Sequence, residues 1–308
     1  MNTKIKFMKY RKIAGIMSIT IFLLSILSLG IRGLSLGLDF SGGTLIEVTY
    51  KTPVELESIR NTLIENNYAE SQVVNFGTNL DVLIKVADQN GNSSIGDEIF
   101  KLLNDKGFKG ELKRVEFVGP QVGAELRDQG GLGMIVALFM ILLYVAFRFQ
   151  YKFALGAVSA LGHDVVIILG IFSFFKWDFD LTVLAALLAV IGYSLNDTIV
   201  VSDRIRENFR SQRDLKPNEM IDLSLNQTLG RTLVTSFTTL LVLFALFIFG
   251  GELIKGFSLA LIIGVLVGTY SSIYVVANML MSLSISQEDM ALPEAEGADI
   301  DELSLIHI

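Results

Sequence analysis

The chain has 308 residues, of which 51% are hydrophobic and 19% are charged. A soluble domain carries about 25% charged residues, so this composition, with a mean hydropathy of +0.54, indicates a membrane protein. There is no cysteine, which excludes disulfides, zinc–thiolate sites and cysteine nucleophiles. The net charge of -7 arises after Met281, where the chain holds seven acidic residues and no Lys or Arg. We predict a disordered acidic tail over 282–308 and assign no function to its last residues, 303–308.

Six segments are long and apolar enough to span a membrane, which takes about 20 residues in a helix. They cover roughly 13–31, 130–147, 153–175, 181–202, 231–249 and 256–281. The first is similar to a signal peptide, but its apolar core is too long and the residues after it offer no small-x-small cleavage site. We therefore predict a retained first span within 13–37, preceded by a basic N-terminus, 1–12.

The basic residues predict the orientation of these spans. Twelve Lys and Arg residues lie before the first span, between spans two and three, and between spans four and five. The opposite short loops hold only Lys176 and Lys255. Because loops rich in Lys and Arg stay on the cytoplasmic side, we predict that both termini are cytoplasmic.

The long segment 38–129, between the first and second spans, then faces outward. Its hydrophobic pattern predicts a strand at 44–50, a helix from Pro53 to about Asn66, strands at 72–76 and 81–86, a helix at 95–104 and a strand at 111–118. The order β-α-β-β-α-β is that of a ferredoxin-like unit. The predicted fold is an α-helical membrane protein with six transmembrane helices. An external α+β ferredoxin-like domain follows the first helix, and a five-helix membrane region, 130–281, follows the domain.

A carboxylate lies in the middle of the fourth predicted span. Residues 181–201 contain no charge other than Asp197, and a charged side chain at the centre of a membrane helix costs about 3 kcal/mol or more. Arg231 begins the next apolar segment, so the two charges can meet on neighbouring helices. Intramembrane charges usually mark ion paths, which favours a titrating or coupling role. The alternative is a fixed ion pair that locks two helices together.

Two further groups of polar residues lie inside predicted spans. His163 and Asp164 lie near the middle of the third span, and because a His can carry a proton near neutral pH, this pair is a candidate relay. Interhelical hydrogen bonding or structural packing is the alternative. One helix face of the fifth span carries Arg231, Thr235, Thr238 and Thr239. That stripe either holds water or an ion, or forms a Thr-lined helix contact.

The sequence contains no soluble catalytic motif: no Walker loop, no Gly-x-Ser-x-Gly and no His-Glu-x-x-His. It has only two histidines. We therefore predict that the chain is not an enzyme and has no catalytic residues, no cofactor and no metal site. The sequence does not exclude an ion gradient as the energy source, because the use of a gradient needs only buried titratable groups.

Five motifs follow one another along the chain: LDFSGGT at 38–44, GPQVGAEL at 119–126, GYSLNDTIVV at 192–201, DRIREN at 203–208 and TLGRTL at 228–233. Taken singly, Gly42 and Gly43 after Asp39 indicate a turn from a helix into a strand. Gly119 and Pro120 indicate the start of a helix. Taken together, with their order, their spacing and the six-span layout, the motifs resemble the SecF family.

The resemblance covers residues from about 10 to 283. It implies one half of a transporter of the resistance-nodulation-division (RND) type in the bacterial cytoplasmic (inner) membrane, with the other six spans supplied by SecD. It also implies that the chain assists the SecYEG channel, with YajC as a further partner, and uses the proton or sodium gradient to promote export of preproteins. Membrane lipid is expected as a contact and nucleic acid is not. The ion-coupling residues that it implies are Asp197 and Arg231. We add Asn196, Thr198 and Thr235, which lie beside them in the sequence or on the same helix face, to the predicted coupling site.

Two other functional classes remain. One is an RND-type exporter half for lipids or small apolar solutes, which needs an external pocket lined with aromatic residues. The segment 38–129 has seven Phe and Tyr residues, but most occupy positions typical of a core. The other is a non-transporting assembly scaffold, in which Asp197 is dispensable.

Overall fold

The computed structural model of the protein describes residues 5–69, 71–87, 92–212, 215–287 and 289. In chain order its elements are a 3-10 helix (Phe7–Lys9), α1 (Arg11–Arg32), β1 (Ser35–Leu36), α2 (Leu38–Ser41), β2 (Gly43–Tyr50), α3 (Leu56–Glu65), β3 (Gln72–Phe76), β4 (Thr78–Val86), α4 (Ile95–Asp105), β5 (Gly110–Val118), α5 (Pro120–Arg148), α6 (Tyr151–Phe175), β6 (Asp178–Phe179), α7 (Leu181–Ser211), α8 (Pro217–Phe249) and α9 (Glu252–Ser282). Six of these helices, α1 and α5 to α9, are long and apolar enough to cross a membrane, which confirms the six predicted spans. Most of the predicted disordered tail, residue 288 and residues 290–308, lies outside the described residues.

Helix α9 is the centre of the membrane bundle, because it packs against α1, α6, α7 and α8. Helices α5 and α8 lie at the periphery. Only 6% of the apolar stretch of α5 and 17% of that of α8 are buried, compared with 61% for α6. Their outer faces carry large exposed apolar side chains, among them Leu132, Phe139, Phe147, Phe237 and Phe249. These faces are suited to contact lipid or another membrane protein.

Three membrane helices extend beyond their apolar segments. Helix α5 begins at Pro120 and α8 at Pro217, well before the predicted starts of these spans, and α7 continues to Ser211. Hydropathy identifies only the apolar part of a helix, whereas backbone hydrogen bonding continues through flanking polar residues. A Pro is tolerated in the first turn because its missing N–H would have no helical partner there. The predicted boundary at 129 between the external domain and the second span therefore falls inside one continuous helix.

The external domain is built on one four-stranded antiparallel sheet with the order β3-β4-β2-β5. Strand β4 lies between β2 and β3, so β2-α3-β3 is a split β-α-β unit and the predicted ferredoxin-like order is confirmed. The start of the first helix was predicted wrongly. Pro53 precedes α3, which begins at Leu56, because Pro fixes φ but leaves ψ free to remain extended.

Helices α3 and α4 cover one face of this sheet and form the core of the domain. The residues that are 0% exposed there are Ile46, Ile59, Leu63, Val82, Ile84 and Ile99. Full burial of such a side chain contributes about 1.5–3 kcal/mol. Four aromatic residues of the domain pack in or against the same core: Tyr50, Tyr68, Phe100 and Phe108. These four aromatic side chains thus stabilise the core of the domain.

Both ends of the described chain dock on the bundle. Phe7 and Met8 are buried, and the backbone N–H of Met8 donates to Asp222 Oδ1 at 2.9 Å. At the other end, Lys152 Nζ lies 2.7 Å from Asp289 Oδ2. The polar first turns of α8, which the hydropathy pattern did not include in a span, therefore anchor the N-terminal segment.

Two neighbouring residues of α3, one buried in the core of the external domain and one exposed, give a stability prediction and its control. In a purified fragment covering residues 38–119, Leu63→Ala should lower the free energy of unfolding by about 2–5 kcal/mol, because it removes a fully buried side chain. Ile64→Ala should change it by less than about 1 kcal/mol, since Ile64 is 47% exposed. Urea unfolding followed by circular dichroism measures both. Equal losses, or a fragment without a cooperative transition, would contradict this core.

Candidate functional site

Asp197 lies at the middle of α7 with its side chain inside the bundle. The residue is 4% exposed, and its Oδ2 has no hydrogen-bond partner within the described part of the chain. Its neighbour Thr198 is also buried, whereas Asn196 is exposed. A buried charged oxygen without a donor is costly. This carboxylate is therefore the least satisfied acid in the described bundle.

Arg231 lies on the outer face of α8 and is exposed. No ion pair among the described residues joins it to Asp197, although its charge is near enough to attract that carboxylate. The Thr stripe beside it shares this outward direction. The hydroxyl of Thr235 donates to the backbone carbonyls of Arg231 and Thr232, both at 3.0 Å. The stripe therefore satisfies its hydroxyls within its own helix and leaves a polar line on the bundle surface.

Two more buried oxygens near this region lack a partner among the described residues. They are Ser202 Oγ on α7 and Thr232 Oγ1 on α8, and both residues are 2% exposed. Together with Asp197 Oδ2 they are three buried side-chain oxygens on α7 and α8 without a partner among the described residues. Unsatisfied buried polar atoms are rare and call for a functional or hydration role. The motif reading did not identify Ser202 or Thr232, since single hydroxyl residues in apolar helices are too common to stand out.

His163 and Asp164, on α6, are buried and hydrogen-bonded to each other, with His163 Nδ1 2.9 Å from Asp164 Oδ1. Ser18 on α1 lies 2.6 Å from His163 Nε2. Asp164 Oδ2 accepts from Ser194 of α7 at 2.5 Å and from Ser271 of α9 at 2.7 Å. The pair therefore connects four helices. The three serines were missed by the sequence reasoning, because their partners lie far away in the chain.

A second chain of hydroxyl groups links α7, α8 and α9. Tyr193 Oη donates to Ser236 Oγ at 3.2 Å, and Ser236 Oγ lies 2.7 Å from Thr269 Oγ1. These hydrogen bonds bring the helix of Asp197 against the helix of Arg231 through side chains that carry no charge. They contribute cohesion in an apolar medium, where each such bond is worth about 0.6 kcal/mol on average.

The two glycine motifs meet in space at the junction between the external domain and the bundle. Gly42 and Gly43 have φ values of 75° and 141°, which favour glycine, and a Cβ on Gly42 would lie 2.9 Å from the Cα of Pro120. Gly119 caps α5, with Pro120 in its first turn. Asp39 Oδ2 accepts from the backbone N–H of Leu181 at 3.1 Å. Asp39 therefore holds the linker of the external domain against the N-terminus of α7.

The same junction contains a strand pair and an ion pair. Strand β1 pairs in parallel with β6, and Lys85 Nζ of the external domain lies 3.0 Å from Asp178 Oδ2. The N-terminus of α7, the helix that carries Asp197, is therefore attached to the external domain by backbone and side-chain contacts. Across the described residues no group of three or more His, Asp or Glu side chains is arranged to hold a metal ion.

These features define a multi-pass membrane protein with a folded domain inserted after its first span and ionisable groups buried in its helix bundle. Residues 98–286 match the family model described as protein export membrane protein SecD/SecF, C-terminal. Residues 27–54 match the SecD/SecF GG motif, which contains Asp39, Gly42 and Gly43. The matched regions therefore include both parts of the junction.

Individual relatives match the chain along nearly its whole length. The chain is 48% identical to protein translocase subunit SecF of Vibrio alginolyticus, with 97% of this chain and 96% of the relative covered. It is 49% identical to the same-named protein of Pseudomonas aeruginosa, with 96% and 98% covered. The crystal structure of SecDF, a translocon-associated membrane protein from Thermus thermophilus, superposes with a TM-score of 0.82 at 36% identity. The superposition covers 91% of this chain and 39% of that longer chain. The chain belongs to the SecF family of SecD/SecF protein export membrane proteins.

Close contact between α7 and α9 gives the second prediction. A Cβ on Gly264 would lie 2.1 Å from Val190 Cγ2, whereas a Cβ on Gly162 would meet nothing within 4 Å. Gly264→Ala should destabilise the bundle by about 1–3 kcal/mol, since overpacking forces the helices apart. Gly162→Ala should not lower stability. Thermal unfolding of both variants in the same mild detergent measures the difference, and equal stability of the two variants would refute this helix contact.

Proposed function

We propose that the chain acts as a SecF-type subunit of the Sec preprotein translocase. Together with a SecD subunit it uses the proton or sodium gradient to promote export of preproteins through the SecYEG channel, with YajC as a further partner. The observation that carries the proposal is the Asp197 carboxylate, which is buried in the middle of α7 with an oxygen that lacks a donor within the described residues. Such a carboxylate is suited to bind and release an ion, because neither state is fixed by a neighbouring donor.

We assign the coupling site to Asp197 and Arg231, with Asn196, Thr198 and Thr235 beside them. Arg231 is not paired in an ion pair of the described chain, and its exposed face on α8 carries the Thr stripe. An exposed Arg in a spanning helix needs a polar or acidic surface opposite it. A SecD subunit that covers α5 and α8 supplies this surface and encloses the coupling site between the two subunits.

Coupling to the external domain follows from the attachment of α7. An ion that binds at the middle of α7 changes the charge of a helix whose N-terminus is tied to the domain through Asp39 and through Lys85 and Asp178. One elementary charge crossing about 100 mV releases about 2.3 kcal/mol. That energy is enough to bias a two-state position of the domain, although one charge alone does not drive it to completion.

The proposed orientation has both termini in the cytoplasm and the external domain on the opposite side of the bacterial inner membrane. On the cytoplasmic side, the guanidinium groups of Arg148 and Arg206 lie over the ring of Phe149, at 5.1 and 5.6 Å from its centroid. Asp203 bridges the same two Arg side chains. Lipid headgroups are the natural contact for this basic belt.

The exporter alternative receives no support from the external domain, because Tyr50, Tyr68, Phe100 and Phe108 pack with its core. The scaffold alternative differs from ion coupling only in whether Asp197 must titrate.

Replacing Asp197 with Asn separates coupling from a structural role. Asn keeps the size and hydrogen-bonding capacity of Asp but cannot titrate. Asp197→Asn should reduce preprotein export to the rate measured after the gradient is collapsed, while the membrane abundance of the protein stays near normal. Pulse-chase export of a reporter and blotting of the same membranes measure both quantities. Normal export at normal abundance would refute coupling and support the scaffold.

Arg231→Lys is the companion variant. Lys keeps the positive charge but loses the planar fork of the guanidinium group. Loss of export with Arg231→Lys shows that the geometry of the fork is required, whereas full activity shows that charge alone is sufficient. A fall in abundance of Asp197→Asn that Arg231→Gln restores would instead identify a structural ion pair.

The partner surface gives a further prediction. Expressed without a SecD subunit, the chain should aggregate or be degraded. No partner then packs on the face of α8 that carries Arg231 or on the apolar faces of α5 and α8. Co-expression with SecD should yield a stable complex in mild detergent. Size-exclusion chromatography with light scattering measures the assembly, and an active, stable monomer would rule out this surface as an obligatory interface.

A further inference from the structure

Three hydrogen bonds surround the side chain of Asp164. The residue is 0% exposed, and its two oxygens lie within hydrogen-bond distance of His163 Nδ1, Ser194 Oγ and Ser271 Oγ. An ionised carboxylate only accepts hydrogen bonds, and here three groups that can donate surround it. The arrangement fits a carboxylate that accepts from a hydrogen on His163 Nδ1.

The other ring nitrogen of His163 can bind a proton without any movement of heavy atoms. Its only hydrogen-bond partner among the described residues is Ser18 Oγ, at 2.6 Å. A hydroxyl group can donate to a neutral Nε2 or accept from a protonated one, since it has one hydrogen and two lone pairs. Ser18 thus accommodates both states of the ring by rotation of its hydroxyl.

The imidazole ring of His163 is surrounded by one acid and by aromatic side chains. The ring of Phe22 on α1 stacks at 6.3 Å and that of Tyr270 on α9 at 6.5 Å from the imidazole centroid. The titratable groups around the ring are Asp164 on its own helix and Tyr270 and Tyr274 on α9; α7 contributes Ser194, one turn from Asp197. No Lys or Arg lines this part of the described bundle.

A cavity connects this nitrogen with one end of the bundle. It has a volume of about 300 Å³, lies between α1, α6 and α9, and is lined by His163, Ser18, Ser159, Tyr270, Asn278 and Ser282 among others. It extends from the middle of the bundle to the end where α1 begins and α9 terminates, which is the predicted cytoplasmic end. A cavity that holds water needs room and polar partners. Here Ser159, Asn278 and Ser282 supply polar atoms between apolar side chains, among them Ile19, Phe22 and Met279.

We propose that His163 Nε2 is a proton-binding site that exchanges with the cytoplasm through this cavity, with Asp164 as its fixed counter-ion. A proton from cavity water binds neutral His163 to give an imidazolium, and its release returns the proton to that water. Ser194 joins this pair to α7 one turn from Asp197, so a charge at His163 acts on the helix of Asp197. The cytoplasmic route and the role in export rest on the proposed function, whereas the proton binding does not.

The chain contains only two histidines, so His307→Ala leaves His163 as the single imidazole of the full chain. With ¹⁵N-labelled histidine in detergent or nanodiscs, the ring resonances should move from the Nδ1–H neutral form to the imidazolium between about pH 8 and pH 5. In the same background, Asp164→Asn should reduce the imidazolium fraction at a given pH, because the counter-ion is lost. A ring that keeps one form from pH 5 to pH 9 would overturn the proposal.

The absence of cysteine allows a second measurement of the cavity itself. Ser159→Cys, inside the cavity, should react with a membrane-impermeant thiol reagent added from the cytoplasmic side at least about tenfold faster than Leu23→Cys. A thiol needs water to form the reactive thiolate, and Leu23 is 58% exposed at the middle of α1, where lipid excludes water. Reaction of Ser159→Cys only from the opposite side, or at the rate of Leu23→Cys, would refute the cytoplasmic route.

These outcomes are independent of the test of coupling. If Asp197→Asn exports normally, the proposed function fails, but the titration of His163 and the labelling of Ser159→Cys are unaffected. If Asp197→Asn abolishes gradient-driven export while His163 does not titrate, ion coupling stands and the second proton site is excluded.

Discussion

The hydrogen-bonded carboxylate of Asp164 is the interaction on which the membrane bundle depends. Removing a charge of this kind from water costs several kcal/mol unless donors replace the lost hydration. Those donors come from α6, α7 and α9, and Ser18 of α1 completes the set through His163. Four helices must therefore take one arrangement for the charge to be tolerated. The contact of Gly264 with Val190, and of Gly268 with Ser194, lets α9 approach closely enough to deliver Ser271.

Asp197 is chemically the same group in the opposite environment. It lies one helical turn from Ser194 on α7, yet its Oδ2 has no donor within the described chain. Both oxygens of Asp164 have hydrogen-bond partners, and those partners lie on three helices. The contrast is therefore between an acid whose hydrogen bonds hold helices together and an acid with an oxygen that no described donor reaches.

A response at Asp197 reaches the external domain only if α7 moves as a unit and the junction transmits that movement. The junction is short, because Gly42 packs against Pro120 and Asp39 accepts from the first N–H group of α7, that of Leu181. The split β-α-β domain has its own core and is connected to the bundle through the two glycine motifs, β1 and Lys85.

The sequence predicted the parts of this molecule that depend on local pattern. Apolar length identified six spans, alternation identified the strands of the domain, and the cost of a lone charge identified Asp197. The ends of the helices were harder to predict, since the polar turns after Pro120 and before Arg231 carry no hydropathy signal. The donors of Asp164 were also not identified, because a Ser in an apolar helix has the same pattern whether it faces a carboxylate or its own backbone. Only the packing of α1, α7 and α9 around α6 distinguishes these two cases.

The exposed Arg231 is best understood through the surface on which it lies. The superposition on the Thermus thermophilus SecDF chain covers 39% of that longer chain with a TM-score of 0.82. Within the present chain, α5 and α8 bury only 6% and 17% of their apolar stretches, and Arg231 with its Thr stripe lies on α8. Lipid would cover the apolar part of this surface but not the charge. We infer that the coupling site is completed only when a second subunit meets α8, so ion movement and subunit assembly depend on the same face.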